Sequence, residues 1–126
     1  MAGTLTLDTL KTSSGVLATQ NGMTGIAKAW VNFSVAGSAC SVVSSFNVSS
    51  VTYNSAGNFT INMTTAMPNA NYTAIIGSVN TFGSGVYYGT GVFGTNTTSS
   101  FSMRMVGGNG SYIDGLNNGY AAVFSS

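Results

Sequence analysis

Charge is almost missing from this sequence. Its 126 residues hold three basic and two acidic side chains, Lys11, Lys28, Arg104, Asp8 and Asp114, with no histidine and no glutamate. Nucleic-acid binding draws much of its affinity from Lys and Arg set against phosphates, and three scattered cations cannot build that surface. The same shortage excludes a basic membrane-surface helix, and no apolar run reaches the length of a spanning helix, so no membrane insertion is expected. Without histidine or glutamate, acid–base chemistry falls back on Asp8, Asp114, Cys40 and the tyrosines. A single cysteine permits no internal disulfide, and the N-terminus shows no basic start followed by a hydrophobic stretch, so no secretory leader is expected.

What is present is hydrophobic residue in short alternating runs. Apolar residues make up 44% of the chain, and they cluster as Val-, Ile-, Phe- and Tyr-rich segments separated by Gly, Asn, Ser and Thr, the pattern of half-buried strands. In the stretch GIAKAWVNFSVAG (25–37), Ala27, Ala29, Val31, Phe33 and Val35 share one face, and Ile26, Lys28, Trp30, Asn32 and Ser34 share the other. The first face reads as core; the second carries the chain's only tryptophan beside a lysine. Further strands are expected at Cys40 to Phe46, Val48 to Tyr53, Phe59 to Thr64, Tyr72 to Val79, 86–94, 101–105 and 119–126. Asn54 and Gly57 in YNSAGN suit a tight hairpin across 48–65 that needs positive φ at one position. Pro68 belongs at a turn or a strand edge. In GVYYGTGVFG, Tyr87, Gly89, Gly91 and Phe93 share a face, as at a bulge or close backbone approach. Phe59, Ile61, Met63, Val31 and Phe33 are the expected core, with Phe101, Met103 and Met105 on one face of their strand and Arg104 opposite. No 3.6-residue period of useful length occurs. The expectation is one all-β domain, a β-sandwich or jelly-roll over 25–126, preceded at 1–24 by an extended arm.

Candidate chemistry is sparse. Asp8 lies in the arm and Asp114 in a glycine-rich turn, where solvated or turn-forming roles suffice. Cys40 has no basic partner to activate it and, in line with Val42, reads as a small core residue. One Cys and two Asp cannot make an ordinary zinc site; a calcium site from Asp114 with Asn117 and Asn118 is a weak alternative, and no cofactor is expected. The Asn-x-Ser/Thr triplets at Asn32, Asn47, Asn58, Asn62, Asn71, Asn96 and Asn109 follow from composition. Trp30, Tyr53, Tyr72, Tyr87, Tyr88, Tyr112 and Tyr120 are divided between core and surface, where an aromatic stacks on a sugar or fills a protein contact.

The segments KAWVNF, SFNVSSVT, the hairpin strand GNFT and AMPNANY, within Gly25 to Ile76, resemble a module of tailed-bacteriophage virion structural proteins, particularly tail-fibre and other surface proteins. The resemblance implies a non-enzymatic virion protein, commonly homotrimeric, made in the host bacterial cytoplasm. It carries no catalytic residues. In such a trimer Lys28, Trp30 and Asn32 would lie at the subunit contact, covering the second face of their strand. The sequence has no coiled-coil or collagen-like shaft, and Met1 opens directly on the short arm, as in a complete gene product. That favours a capsid decoration or cement protein whose arm, through Leu5, Leu7 and Leu10, lies on the major capsid protein. A short tail-fibre or receptor-binding tip facing a host-surface glycan comes second, a free carbohydrate-binding lectin third and an enzyme last.

Overall fold

A computed structural model describes residues 26–79, 94–106 and 118–125, together with Gly3, Gly110 and Tyr112. The rest of the expected arm, the 86–93 strand and the Asp114 turn lie outside the described residues. Seven strands are described and no helix among them: β1 (Ala29–Ala36), β2 (Ala39–Phe46), β3 (Val48–Ser55), β4 (Asn58–Met63), β5 (Thr73–Val79), β6 (Ser100–Arg104) and β7 (Asn118–Phe124). They form two antiparallel sheets, a four-stranded one in the order β2-β1-β7-β5 and a three-stranded one in the order β3-β4-β6.

The alternation seen in the sequence decides which side of each strand is buried. Ala29, Val31 and Phe33 of β1 and Ala121 and Val123 of β7 turn inward from one sheet, and Phe59, Ile61, Met63, Phe101 and Met103 from the other, into one buried cluster. The Phe33 and Phe59 rings meet between the sheets with centroids 5.7 Å apart and a 59° tilt. The two layers sharing this core pack in a sandwich-like manner. All five expected core residues are buried. Phe33 has room because its neighbour across the ladder is Gly119; a Cβ there would lie 2.4 Å from the ring.

The 48–65 hairpin forms as expected, with β3 and β4 paired and Gly57 supplying the positive φ, 61°. The chain passes from the first sheet to the second at Asn47, which adopts φ 52°. This left-handed conformation is uncommon outside glycine, and Asn is among the residues that tolerate it. Its side chain holds the corner: Nδ2 donates to the carbonyls of Lys28 and Thr65, each at 3.1 Å, and Oδ1 accepts from the Thr65 N–H at 2.7 Å.

Candidate interaction face

The outer surface of the four-stranded sheet is the clearest candidate. Its register sets Phe46, Trp30, Ala122 and Ile75 side by side in one row, and Ser44, Asn32, Tyr120 and Gly77 in the next. Small Ala122 separates Trp30 from Ile75, and Tyr120 stands between Asn32 and Gly77. These contrasts in size leave an open groove of about 490 Å³, bordered by Trp30, Ile75 and Tyr120. Trp30 is 41% exposed, Ile75 62% and Tyr120 37%. No charged side chain lines the groove. The Oδ1 of Asn32, on its wall, is enclosed with no hydrogen-bond partner.

Trp30 and Asn32 thus share the outer face, as their spacing indicates. Lys28 does not join them. It lies in a bend before β1, where strict alternation no longer holds, and is only 2% exposed. Its N–H donates to the Val123 carbonyl at 2.7 Å, so it continues the β1–β7 ladder while its side chain turns inside. Leu5, Leu7 and Leu10, the expected capsid-binding contacts, lie outside the described residues. Ile75, Tyr120, Ala122 and Gly77 complete a surface that the β1 sequence reveals only in part. The doubly apolar run from Tyr72 to Val79 is the signal for Ile75; the placement of β7 between β1 and β5 has no local signal.

The opposite surface of the molecule has another chemistry. Outward positions of the three-stranded sheet are Ser50 and Thr52 on β3, Thr60 and Asn62 on β4, and Ser100 and Ser102 on β6, aligned by the pairing. Asn62 Nδ2 donates to Ser50 Oγ and Thr52 Oγ1, each at 3.0 Å, and Asn54 Nδ2 to Thr60 Oγ1 at 2.8 Å. On β3 and β4 the amides and hydroxyls are bonded to one another, and the array as a whole presents a neutral hydrophilic surface. At its border Arg104 Nη1 donates to the Tyr112 hydroxyl at 3.4 Å, with the guanidinium 5.9 Å from the ring centre.

Nucleophile and metal chemistry find little here. Cys40 is half-buried against the core, and burial pushes its thiol above the ordinary value, away from a reactive thiolate. Among the described residues no three His, Cys, Asp or Glu side chains gather into a metal site. Of the aromatics, Tyr72 is buried, Tyr53 packs edge-on to Phe59 at 5.9 Å, and Trp30, Tyr112 and Tyr120 are exposed. No described helix is long and apolar enough to cross a membrane. Comparison with protein-family models, curated proteins and solved structures finds no match to this chain.

Proposed function

We propose that this protein is a non-enzymatic structural subunit of a tailed-bacteriophage virion surface: a homotrimer of sandwich-like protomers that decorates the capsid and is anchored by its 1–24 arm. The observation that carries the assembly reading is the apolar, charge-free groove bordered by Trp30, Ile75 and Tyr120. Contiguous exposed apolar surface of this kind marks an interaction site, and a net charge of +1 gives free subunits little mutual repulsion. The virion assignment rests on the resemblance of residues 25–76. The decisive experiment measures the mass of the purified chain by light scattering and then its binding to phage heads lacking it. A trimer that binds heads, and loses binding when Leu5, Leu7 and Leu10 are all replaced by Ser, supports decoration. A trimer that ignores heads argues against it.

The hydroxyl and amide array of Ser50, Thr52, Thr60, Asn62, Ser100 and Ser102 favours a second reading, a short tail-fibre or receptor-binding tip. Such a neutral surface suits a host glycan, which presents hydroxyls of the same kind. Binding to an array of bacterial surface glycans, abolished by Asn62→Ala, supports this reading; a blank array removes it. A monomer with glycan binding would indicate a free lectin.

A further inference from the structure

We infer that the outer surface of the three-stranded sheet takes an acidic saccharide, with the sugar hydroxyls set against the Ser, Thr and Asn array and the anionic group on Arg104. The inference rests on the second reading above, glycan recognition by this surface, and specifies the charge of the glycan. Placement, hydrogen-bonding capacity and charge complementarity favour it.

Placement follows from the register. Ser100, Ser102 and Arg104 are successive outward positions of β6, about 6.7 Å apart. Across the ladder they face Asn62, Thr60 and Asn58 of β4. The cation therefore stands at one end of a column of hydroxyls and on the same surface. A step of this length matches neighbouring groups of a sugar chain, so one glycan can set a hydroxyl over Ser102 and an acid group over Arg104.

The guanidinium is positioned while most of its donors stay unused. Its head lies 5.9 Å from the centre of the Tyr112 ring, and Nη1 donates to the Tyr112 hydroxyl at 3.4 Å. Tyr112 is itself bridged antiparallel to Val106, just beyond the end of β6. An aromatic ring beside a cation orders it without cancelling its charge. The planar fork of N–H donors suits a carboxylate or a phosphate, either of which accepts a pair of parallel bonds from it.

Charge complementarity selects an acidic glycan over a neutral one. Among the described residues the charged side chains are Lys28 and Arg104, and none is acidic. Lys28 is buried, which leaves Arg104 as the charge that the described surface presents, without an ion pair among those residues. A neutral sugar gains nothing from that charge. An anionic one gains an attraction that extends to about 8 Å at physiological ionic strength.

The test uses the full chain on an array of bacterial surface glycans in which each acidic member is printed beside its neutral counterpart, uronates after carboxyl reduction and phosphorylated glycans after dephosphorylation. Wild type should prefer the acidic form by about fivefold at low salt, the upper range for one exposed ion pair. The preference should fade as sodium chloride rises to about 1 M and the screening length falls to about 3 Å. Arg104→Gln should bind both forms as wild type binds the neutral one. Arg104→Lys should keep part of the preference, having the charge without the fork; circular dichroism checks that both variants fold. A preference confined to the uronates or to the phosphorylated glycans upholds the inference and names the anion. Equal binding of the two forms, a preference that ignores salt, or one that survives in folded Arg104→Gln overturns the inference and leaves glycan recognition standing. The salt response needs no variant, so the inference can fail even where a substitution disturbs folding. An array blank for wild type removes glycan recognition and the inference with it.

Discussion

Asn47 joins parts of the chain that are far apart in sequence: the lead into β1, the corner between the sheets and the end of β4. Asn47→Ala removes three side-chain hydrogen bonds and forces a Cβ-bearing residue without local compensation into φ 52°. The expected loss is about 3 kcal/mol, from one or two unsatisfied groups plus left-handed strain. Asn47→Gly relieves the strain alone and should recover about 1 kcal/mol of that loss. Urea unfolding of both variants separates the terms, and a glycine variant as stable as wild type would show that the clamp contributes nothing. Gly119→Ala tests the opposite kind of demand. Its Cβ meets the Phe33 ring at 2.4 Å, and overpacking should cost about 1–3 kcal/mol in the same assay. Neither role is legible in the sequence, where Asn47 reads as one of many Asn-x-Ser/Thr triplets and Gly119 as one of 17 glycines. Lys28 was hidden for a related reason. Its position in the alternation assigns it to the Trp30 face, but alternation describes strands, and Lys28 precedes one.

The elements themselves were readable wherever one face is buried. In β4 the residues Phe59, Ile61 and Met63 alternate with half-exposed polar ones, and β6 does the same with Phe101 and Met103. The edge strand β2, Ala39–Phe46, lies where the run from Cys40 to Phe46 places it, but its valines do not face the core. Val42 and Val43 are 40% and 62% exposed, and the ladder slips between Asn32 and Phe33, which leaves Val43 without a partner across it. Between the sheets, the residue before β5 forms a tie. Tyr72 packs edge-on against Phe101 at 6.2 Å, and its hydroxyl lies within donating distance of the carbonyls of Thr97 (2.9 Å) and Ser100 (2.8 Å). Burial raises its pKa above the ordinary 10.0. A raised folded pKa means that the stabilisation is complete below the unfolded value and is lost as pH rises through the folded one. Thermal unfolding should therefore show a Tyr72-dependent fall in stability above pH 10.0. Tyr72→Phe should cost about 1 kcal/mol at neutral pH, one hydrogen bond's worth, and should flatten that alkaline fall. An unchanged alkaline slope in Tyr72→Phe would assign the fall to other groups.

At the scale of the whole molecule the two outer surfaces differ in kind: apolar and recessed over β1, β7 and β5, hydrophilic and internally bonded over β3, β4 and β6. The polar surface follows from the alternation, since its strands show Ser, Thr or Asn at the outward positions, with Arg104 at the end of β6. The groove does not, because it depends on β7 entering between β1 and β5 from the far end of the chain. In the proposed assembly this asymmetry gives each protomer one side to bury and one to leave in water. Trp30→Ala should consequently weaken assembly by about 2 kcal/mol, the scale of a hot-spot residue, while shifting the unfolding midpoint of the isolated protomer far less. The forces involved can be identified by salt. Contacts held by ion pairs weaken as the Debye length falls from about 10 Å at 0.1 M to about 3 Å at 1 M, whereas apolar burial is strengthened by sulfate. With no charge in the groove, the association constant should change less than about threefold between 0.1 and 1 M sodium chloride and rise in sodium sulfate. Sedimentation equilibrium in the two salts measures both responses. Steep loss of association in sodium chloride would move the contact to the few charged side chains and away from Trp30.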